Sequence, residues 1–234
     1  MKIIFKNQTH FVEKTLNEYS DLTFDFSKAK AVPDSVRGML YYKHKEWHFC
    51  HNKFFNTETN CKGIKIDIAN ILKYKRIVVI LESPDREEYF DNNLRKPRFP
   101  AQGKTGNKID EILNKRKFVE QLNKKQKYLV LIVNPVQYQA SCIKFLSEVN
   151  LERNRSLTDK VFRILFNGKK GNQRCGFIKR LNNYKPNFIF NCCTKSLAGV
   201  VKTAIRESLE KGCCPDSNVL IEGCYAEDTH PSRW

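Results

Sequence analysis

The chain lacks an apolar run of about 18 residues, which is the length of a helix that crosses a bilayer. It has no lipidation motif at either end, and residues 1–5 carry a lysine without the pattern of a signal peptide. Its nine cysteines occur singly or as adjacent pairs, and an odd number cannot form a complete set of disulfides. We therefore expect a cytoplasmic protein with reduced cysteines and no membrane attachment.

Acidic residues are scarce relative to basic ones. The chain has 25 Asp and Glu against 42 Lys and Arg, which gives a formal net charge of +17. This surplus is far larger than solubility requires, and it suits a polyanionic partner. Nucleic acid is therefore the expected partner, and a generally basic protein without a nucleic-acid role is the alternative.

The chain also lacks the two paired ligand clusters of a zinc finger. Several candidate ligands share one polar and aromatic stretch, but their spacing does not divide into two pairs. They are His44, His48, Cys50, His51 and Cys61. We expect an irregular, partly buried loop in this stretch and no metal site.

What the chain does have is a regular alternation of apolar strands and amphipathic helices after residue 75. Strands are predicted at residues 77–81, 128–133, 188–190 and 218–221. Helices are predicted at residues 106–118, 156–166, 177–184 and 195–211, the second with Ser156 as its N-cap. This alternation predicts an α/β fold of three layers, α/β/α, around a central, mostly parallel four-stranded sheet.

The first third of the chain shows no such regularity. Residues 1–75 contain short apolar pieces between polar, aromatic loops, and we predict an N-terminal extension packed on a core domain of residues 76–234. No internal repeat or low-complexity linker divides the chain. The basic loop at residues 86–108 is the one long excursion that the pattern marks as functional.

Polar groups follow three of the predicted strands. Glu82 follows the first strand, Asn134 ends the second, and His230 lies beyond the last. Because the carboxyl ends of parallel strands meet at one edge of a sheet, we expect these three side chains to converge there. This edge is the predicted active site.

Four short motifs, in order along residues 75–234, resemble those of the uracil-DNA glycosylase superfamily. They are Leu81-Glu82-Ser83-Pro84-Asp85, Gln102-Gly103-Lys104-Thr105-Gly106, Val133-Asn134-Pro135-Val136 and His230-Pro231-Ser232. The family's first motif is Gly-Gln-Asp-Pro-Tyr or Gly-Glu-Ala-Pro-Gly, which the chain matches at Glu82 and Pro84. The second motif resembles the glycine loop beside the family's pocket, and the third resembles its base-reading segment.

The resemblance implies a monofunctional DNA glycosylase without a cofactor, which flips a pyrimidine out of DNA and leaves an abasic site. In this interpretation Asn134 reads the base and His230 stabilises the charge on the departing base. Glu82 serves the attacking water, and Asp85 is the second candidate, because Ser83 occupies the family's position for the catalytic Asp. Some relatives hold an iron–sulfur cluster, but this chain has no Cys-x-x-Cys pair.

Departures from the family pattern bear on the substrate. Asp85 stands where many uracil-specific relatives have a Tyr that excludes larger pyrimidines. Phe99 is the candidate stacking aromatic, although alignment through the glycine loop puts Ala101 there, and Ser83 is a further candidate base contact. The substrate is therefore either uracil or a modified cytosine, such as a phage hydroxymethylated or glucosylated cytosine. The corresponding roles are DNA repair and anti-phage defence.

The remaining expected contacts are with the DNA backbone and the duplex. The basic loop and the helix after it offer Arg98, Lys104 and Lys108 as phosphate ligands, and Ser232 belongs to the last motif. Arg233 or Trp234 is the candidate wedge that fills the gap left by the flipped base. We expect a monomer.

Three rival interpretations compete with the glycosylase, and the first of them fails on the spacing of its motif. Gly103-Lys104-Thr105 resembles the end of a phosphate-binding P-loop, but Arg98 occupies the place of the required earlier Gly. Cys192 or Cys193 with His230 would make a cysteine hydrolase, although cysteines ending an apolar strand are more often buried small residues. The third rival is a relative that binds DNA but has no working carboxylate.

Overall fold

The computed structural model describes the chain in segments. These are residues 2–5, 8–11, 23–25, 30–51, 56–59, 63–84, 88–89, 100–101, 104–115, 119, 122–138, 140, 151–168, 173–210 and 220–223. Within these segments, no helix has the length and apolarity needed to cross a membrane.

The described segments contain both helices and strands. The strands are β1 (Lys2–Phe5), β2 (Gln8–Phe11), β3 (Thr23–Asp25), β4 (Ser35–Lys43), β5 (Glu46–His51), β6 (Asn56–Thr59), β7 (Gly63–Ile66), β8 (Lys75–Ile80), β9 (Lys127–Val133), β10 (Phe188–Asn191) and β11 (Leu220–Gly223). The helices are α1 (Ile68–Ile71), α2 (Lys104–Lys115), α3 (Leu151–Asn167), α4 (Gln173–Tyr184) and α5 (Lys195–Glu210).

The fold is α/β, as predicted, and its central sheet is parallel in the middle. The strand order is β11-β10-β8-β9-β4-β5. The four strands predicted from the apolar runs are adjacent, and all three of their pairings are parallel. Each of the crossovers between them contains a helix, which is the usual way to connect parallel strands.

The sheet is larger than the predicted four strands, because β4 and β5 extend it to six. Both added strands run antiparallel to their neighbours, with a bulge in β4 between Val36 and Gly38. The turn of this hairpin and β5 lie in the stretch predicted as an irregular loop, and that prediction is wrong for β5. The sheet therefore includes residues from both sides of the predicted boundary at residue 75. Two smaller sheets, β2-β1-β3 and β6-β7, also come from the N-terminal part.

Both faces of the central sheet are buried. On β8, Val78 and Ile80 belong to one apolar cluster, which α3, α4 and α5 complete with residues such as Phe162 and Leu197. The alternate residues of β8 belong to a second cluster, which includes Ile109 of α2. Burial on both faces explains why the parallel strands are continuous apolar runs rather than alternating patterns.

Helix α5 begins at Lys195, as predicted, but the other three predicted helices begin earlier than expected. Helix α3 begins at Leu151, so Ser156 lies inside the helix, where it is exposed, and is not an N-cap. Helix α4 begins at Gln173 rather than at residue 177, and α2 begins at Lys104 rather than at Gly106. The predictions started each helix at its first apolar or capping residue, and a polar first turn has no apolar periodicity to mark it.

Candidate functional site

Three parallel strands end together at the carboxyl edge of the sheet. The register pairs Ile80 of β8 with Val133 of β9 and with Asn191 of β10. The ladder continues past the strand ends, since the Leu81 amide donates to the Val133 carbonyl at 3.1 Å and the Cys192 amide donates to the Ile80 carbonyl at 2.8 Å. The structure thus brings Glu82 and Asn134 to the same edge.

Glu82 is buried at this edge, with only 7% of its surface exposed. Its Oε1 accepts a hydrogen bond from the Thr194 amide at 2.6 Å. Thr194 is the residue before α5, and its carbonyl accepts the bonds of the first helical turn from Leu197 and Ala198. The carboxylate therefore sits at the positive end of a helix dipole, where a negative charge is stabilised.

The thiol of Cys193 lies next to this carboxylate. It is buried, and its Sγ donates to the Leu81 carbonyl at 3.5 Å. Burial raises the pKa of Cys193 well above its usual value, and the charge of Glu82 raises it further. Because a cysteine nucleophile acts as the thiolate, this environment argues against Cys193 as the nucleophile of a hydrolase. Cys192 is disulfide-bonded, so it has no free thiol for that role, and the expectation that the cysteines are reduced is wrong at this residue.

Asn134 is 1% exposed. Its backbone carbonyl accepts a hydrogen bond from Arg180 Nη2 of α4 at 2.7 Å. Its side-chain Oδ1 is also buried, but no residue in the described part of the chain donates a hydrogen bond to it. An acceptor left in this state costs about 1–3 kcal/mol, so it is suited to receive a donor from a ligand.

A buried carboxylate, Asp34, anchors the segment around Asn134. Asp34 Oδ2 accepts from Arg180 Nε at 2.7 Å and from the Tyr184 hydroxyl at 3.0 Å. Asp34 Oδ1 accepts from Gln137 Nε2 at 3.3 Å. Burial, and secondarily the charge of Asp34, raises the pKa of Tyr184 well above its usual value.

The sequence did not identify this cluster. Asp34 precedes a strand that was not recognised, and Arg180 lies on a helix of mixed polar composition. Charged residues at such positions are usually exposed to solvent. The only feature of the sequence that pointed to the cluster was an arginine three residues after the start of a predicted helix. Only the packing of α4 against the loop after β9 brings them together.

Ser83 has a structural contact at the same edge. Its Oγ accepts a hydrogen bond from the Ala140 amide at 3.2 Å. This bond joins the loop after β8 to the loop after β9. The hydroxyl of Ser83 therefore helps to hold the two loops that carry Glu82 and Asn134.

The glycine-loop region is anchored by a second charged cluster. Arg37 of β4 binds both carboxylate oxygens of Asp110 in α2, at 2.9 and 2.6 Å, and donates to the Ala101 carbonyl at 3.0 Å. His51 Nε2 lies 2.9 Å from Asp110 Oδ2. A Cβ at Gly106 would lie 1.8 Å from the Ala101 oxygen, so this approach requires glycine. Sequence patterns did not indicate any of these contacts.

The predicted DNA ligands fall in different places. Lys104 is the first residue of α2. Lys108 lies one turn further and pairs with Glu111 at 2.9 Å on the exposed surface. The other predicted site residues lie outside the described segments, and these are Asp85, Arg98, Phe99, His230, Ser232, Arg233 and Trp234.

The histidines of the β4–β5 hairpin make other contacts. His48 Nε2 lies 3.0 Å from the Lys43 carbonyl, and its ring stacks on Tyr41. Among the described residues, no three His, Cys, Asp or Glu side chains come together as a metal site. Cys61 lies outside those residues.

Comparison of the chain with protein-family models, with curated proteins and with solved structures finds no match.

Proposed function

We propose that this protein is a monofunctional DNA glycosylase of the uracil-DNA glycosylase type. It flips a pyrimidine out of DNA into the carboxyl edge of the sheet and hydrolyses the N-glycosidic bond, leaving an abasic site. The observation that carries the proposal is the buried Oδ1 of Asn134, which has no donor among the described residues and lies at the same edge as Glu82.

The amide of Asn134 suits the edge of a pyrimidine. An amide offers an acceptor and a donor side by side, and a pyrimidine presents the complementary pair on its Watson–Crick edge. Uracil offers its N3–H to Oδ1, and a cytosine or modified cytosine offers its exocyclic amino group. A ligand of this kind would relieve the unsatisfied state of Oδ1.

Glu82 is the proposed carboxylate of the reaction. Water adds to the sugar C1′, the C1′–N bond breaks, the base leaves with the bonding electrons, and the proton that the water loses ends on the departing base. A helix N-terminus stabilises negative charge, and a carboxylate held there can orient the water and offset the positive charge that develops on the sugar. Asp85 is the second candidate, and His230 is the proposed donor to the departing base.

DNA is the proposed partner, because a net charge of +17 favours a polyanion. Arg98, Lys104, Lys108 and Ser232 are the proposed backbone contacts, and Arg233 or Trp234 the proposed wedge. We further propose a cytoplasmic monomer with a three-layer α/β/α core, and the two buried clusters on opposite faces of the sheet support this layering.

The proposal is tested by mass spectrometry of the free bases released from DNA. The purified chain is incubated with uracil-containing DNA and with phage DNA carrying modified cytosines, beside a His230→Ala variant. We expect one pyrimidine to appear in the supernatant with the wild-type protein and to fall strongly with the variant. Uracil would indicate repair, and a modified cytosine would indicate a roomier pocket and anti-phage defence.

The alternative is a relative that binds DNA without cleaving it. Two observations favour it: Ser83 occupies the family's position for the catalytic Asp, and Glu82 Oε1 already accepts a bond from the Thr194 amide. This alternative predicts that no base is released from any of these DNAs while DNA binding persists, and that Glu82→Ala changes nothing.

A further inference from the structure

We propose that Arg180 and Asp34 are positioning residues for Asn134, so that the choice of base depends on them although neither touches the base. This inference rests on the proposed function. The proposed function assigns base binding to the side chain of Asn134. The inference here is that the contacts of its backbone carbonyl hold that side chain in place.

A single guanidinium joins three parts of the fold. Arg180 lies on α4, its Nε donates to Asp34 before β4, and its Nη2 donates to the Asn134 carbonyl after β9, each at 2.7 Å. The two bonds use different nitrogens of one planar group. The direction of the Asn134 carbonyl is therefore tied to the position of the Asp34 carboxylate.

The carboxylate is itself fixed by its surroundings. The Asp34 side chain is 1% exposed, and its two oxygens accept from Arg180, Tyr184 and Gln137. Gln137 lies three residues after Asn134, and its carbonyl accepts a bond from the Val32 amide at 2.8 Å. The segment at residues 134–137 is thus held at one end by Arg180, and at the other by Val32 and Asp34, which precede β4.

This anchoring has a consequence for the side chain of Asn134. Fixing the carbonyl of a residue restricts the rotation of its backbone, and with it the direction in which Oδ1 points. Discrimination between bases requires a hydrogen-bonding group to be held within about 0.5 Å of its productive position. We therefore expect a looser Asn134 to distinguish bases poorly, while general DNA binding, which depends on surface cations, is maintained.

Arg180→Lys is the informative change, because one ammonium group cannot reproduce the planar fork that binds Asp34 and Asn134 together. We expect kcat/KM for the preferred base to fall by about 10- to 100-fold, as a small misplacement of a reacting group does. We also expect the preference for that base over other pyrimidines to fall about 10-fold or more. DNA affinity stays within about twofold, since the lost contacts are internal.

Arg174→Lys is the matched control. Arg174 lies on the same helix, is 24% exposed against 19% for Arg180, and bonds Glu207 of α5 instead of the site. We expect this variant to keep the base preference of the wild type. The folded fraction of each variant is measured by urea unfolding, so that activity is expressed per folded molecule.

The outcomes separate the two proposals. If the wild-type protein releases no base from any of the DNAs, the proposed function fails. If the wild type is active and Arg180→Lys keeps the wild-type preference, with activity lowered only in proportion to its folded fraction, Arg180 is merely structural and the inference is overturned. If Arg180→Lys does not fold, Asp34→Asn, which keeps the size of the side chain, is used instead. A reduced base preference in that variant supports the inference, and an unchanged one overturns it.

Discussion

Asn134 and Asn191 lie at the carboxyl ends of β9 and β10, the two parallel strands on either side of β8. Of the two, only Asn134 leaves its buried side-chain oxygen without a donor among the described residues. Asn191 Nδ2 donates to the Ala198 carbonyl at 3.0 Å, and its Oδ1 accepts from the Cys193 amide at 3.2 Å. Asn134 Oδ1 has no such donor among the described residues. The side chain of Asn191 therefore links the end of β10 to the first turn of α5, whereas Asn134 leaves a polar atom buried at the edge where Glu82 lies.

This difference predicts that the same substitution costs much less stability at Asn134 than at Asn191. Asn134→Leu removes a buried acceptor that gains nothing from the fold, so we expect the free energy of unfolding to change by no more than about 1 kcal/mol. Asn191→Leu breaks two hydrogen bonds, and we expect a loss of about 2–3 kcal/mol. Urea unfolding of both variants measures this, and equal losses would show that the Asn134 amide is structural.

The raised pKa of Tyr184 predicts that the protein loses stability at alkaline pH. Its pKa in the folded state is raised above the unfolded value, chiefly by burial and then by Asp34. The stabilisation is therefore complete below the unfolded pKa of about 10, and it is lost as the pH rises from there toward the higher folded pKa.

The test is urea unfolding between about pH 9 and pH 11, the range that brackets an unfolded tyrosine. We expect Tyr184→Phe to lose less stability over this range than the wild type does. Tyr42→Phe, which removes the same hydroxyl from a half-buried tyrosine of β4, is measured beside it as the comparison. If the free energy of unfolding falls equally with pH in the wild type and in Tyr184→Phe, Tyr184 is not a source of the pH dependence.

At the scale of elements, α2 is fastened to β4 by a charged pair rather than by apolar packing alone. Arg37 binds Asp110 through two hydrogen bonds, and both side chains are less than a fifth exposed. We expect Asp110→Ala to lower the free energy of unfolding by about 2 kcal/mol, because it leaves a largely buried guanidinium with fewer partners.

The next residue supplies the control for this prediction. Glu111 pairs with Lys108 on the exposed surface of the same helix. Pairs of this kind contribute about 0–1 kcal/mol, so Glu111→Ala should have a much smaller effect than Asp110→Ala. Similar losses in the two variants would mean that the Arg37 contact does not anchor the helix.

The elements that could be predicted from sequence are those whose pattern is set locally. The strands β8, β9 and β10 are uninterrupted apolar runs, and the following helices show apolar residues at helical spacing. The β4–β5 hairpin was missed because its aromatic residues do not alternate regularly with polar ones, and they find partners only in the folded sheet: Trp47 packs against Tyr42 and against Tyr128 of β9. Its place in the sheet is decided by pairing with β9, which no local pattern encodes.

The candidate site could be predicted only in part. The parallel-sheet rule placed Glu82 and Asn134 at one edge, and the structure brings them there. Asp34 and Arg180 were not foreseen, because their contact joins residues separated by 146 positions. When a supporting residue lies on another element, the sequence around the motif does not reveal it.

At the scale of the whole molecule, the surplus of basic residues predicts salt-sensitive DNA binding. Each phosphate that a cation neutralises releases counterions, so the affinity for DNA should fall by about 100-fold or more between 50 and 200 mM salt. The measurement is a fluorescence anisotropy titration of labelled DNA at several salt concentrations.

Lys108 provides a local check on that electrostatic account. We expect Lys108→Ala to weaken binding similarly for all DNA sequences and to reduce the salt slope by about 1. A salt-independent affinity in the wild type would mean that the +17 charge does not act on the DNA backbone.

The central claim is that Asn134 reads a flipped base, and single-turnover base release tests it most directly. The wild type is compared with Asn134→Ala and with Asn123→Ala, a control in the exposed turn that leads into β9 at the opposite end of the strand. The account predicts that Asn134→Ala slows release by about 100-fold or more, while Asn123→Ala matches the wild type. Equal release by all three proteins would contradict it.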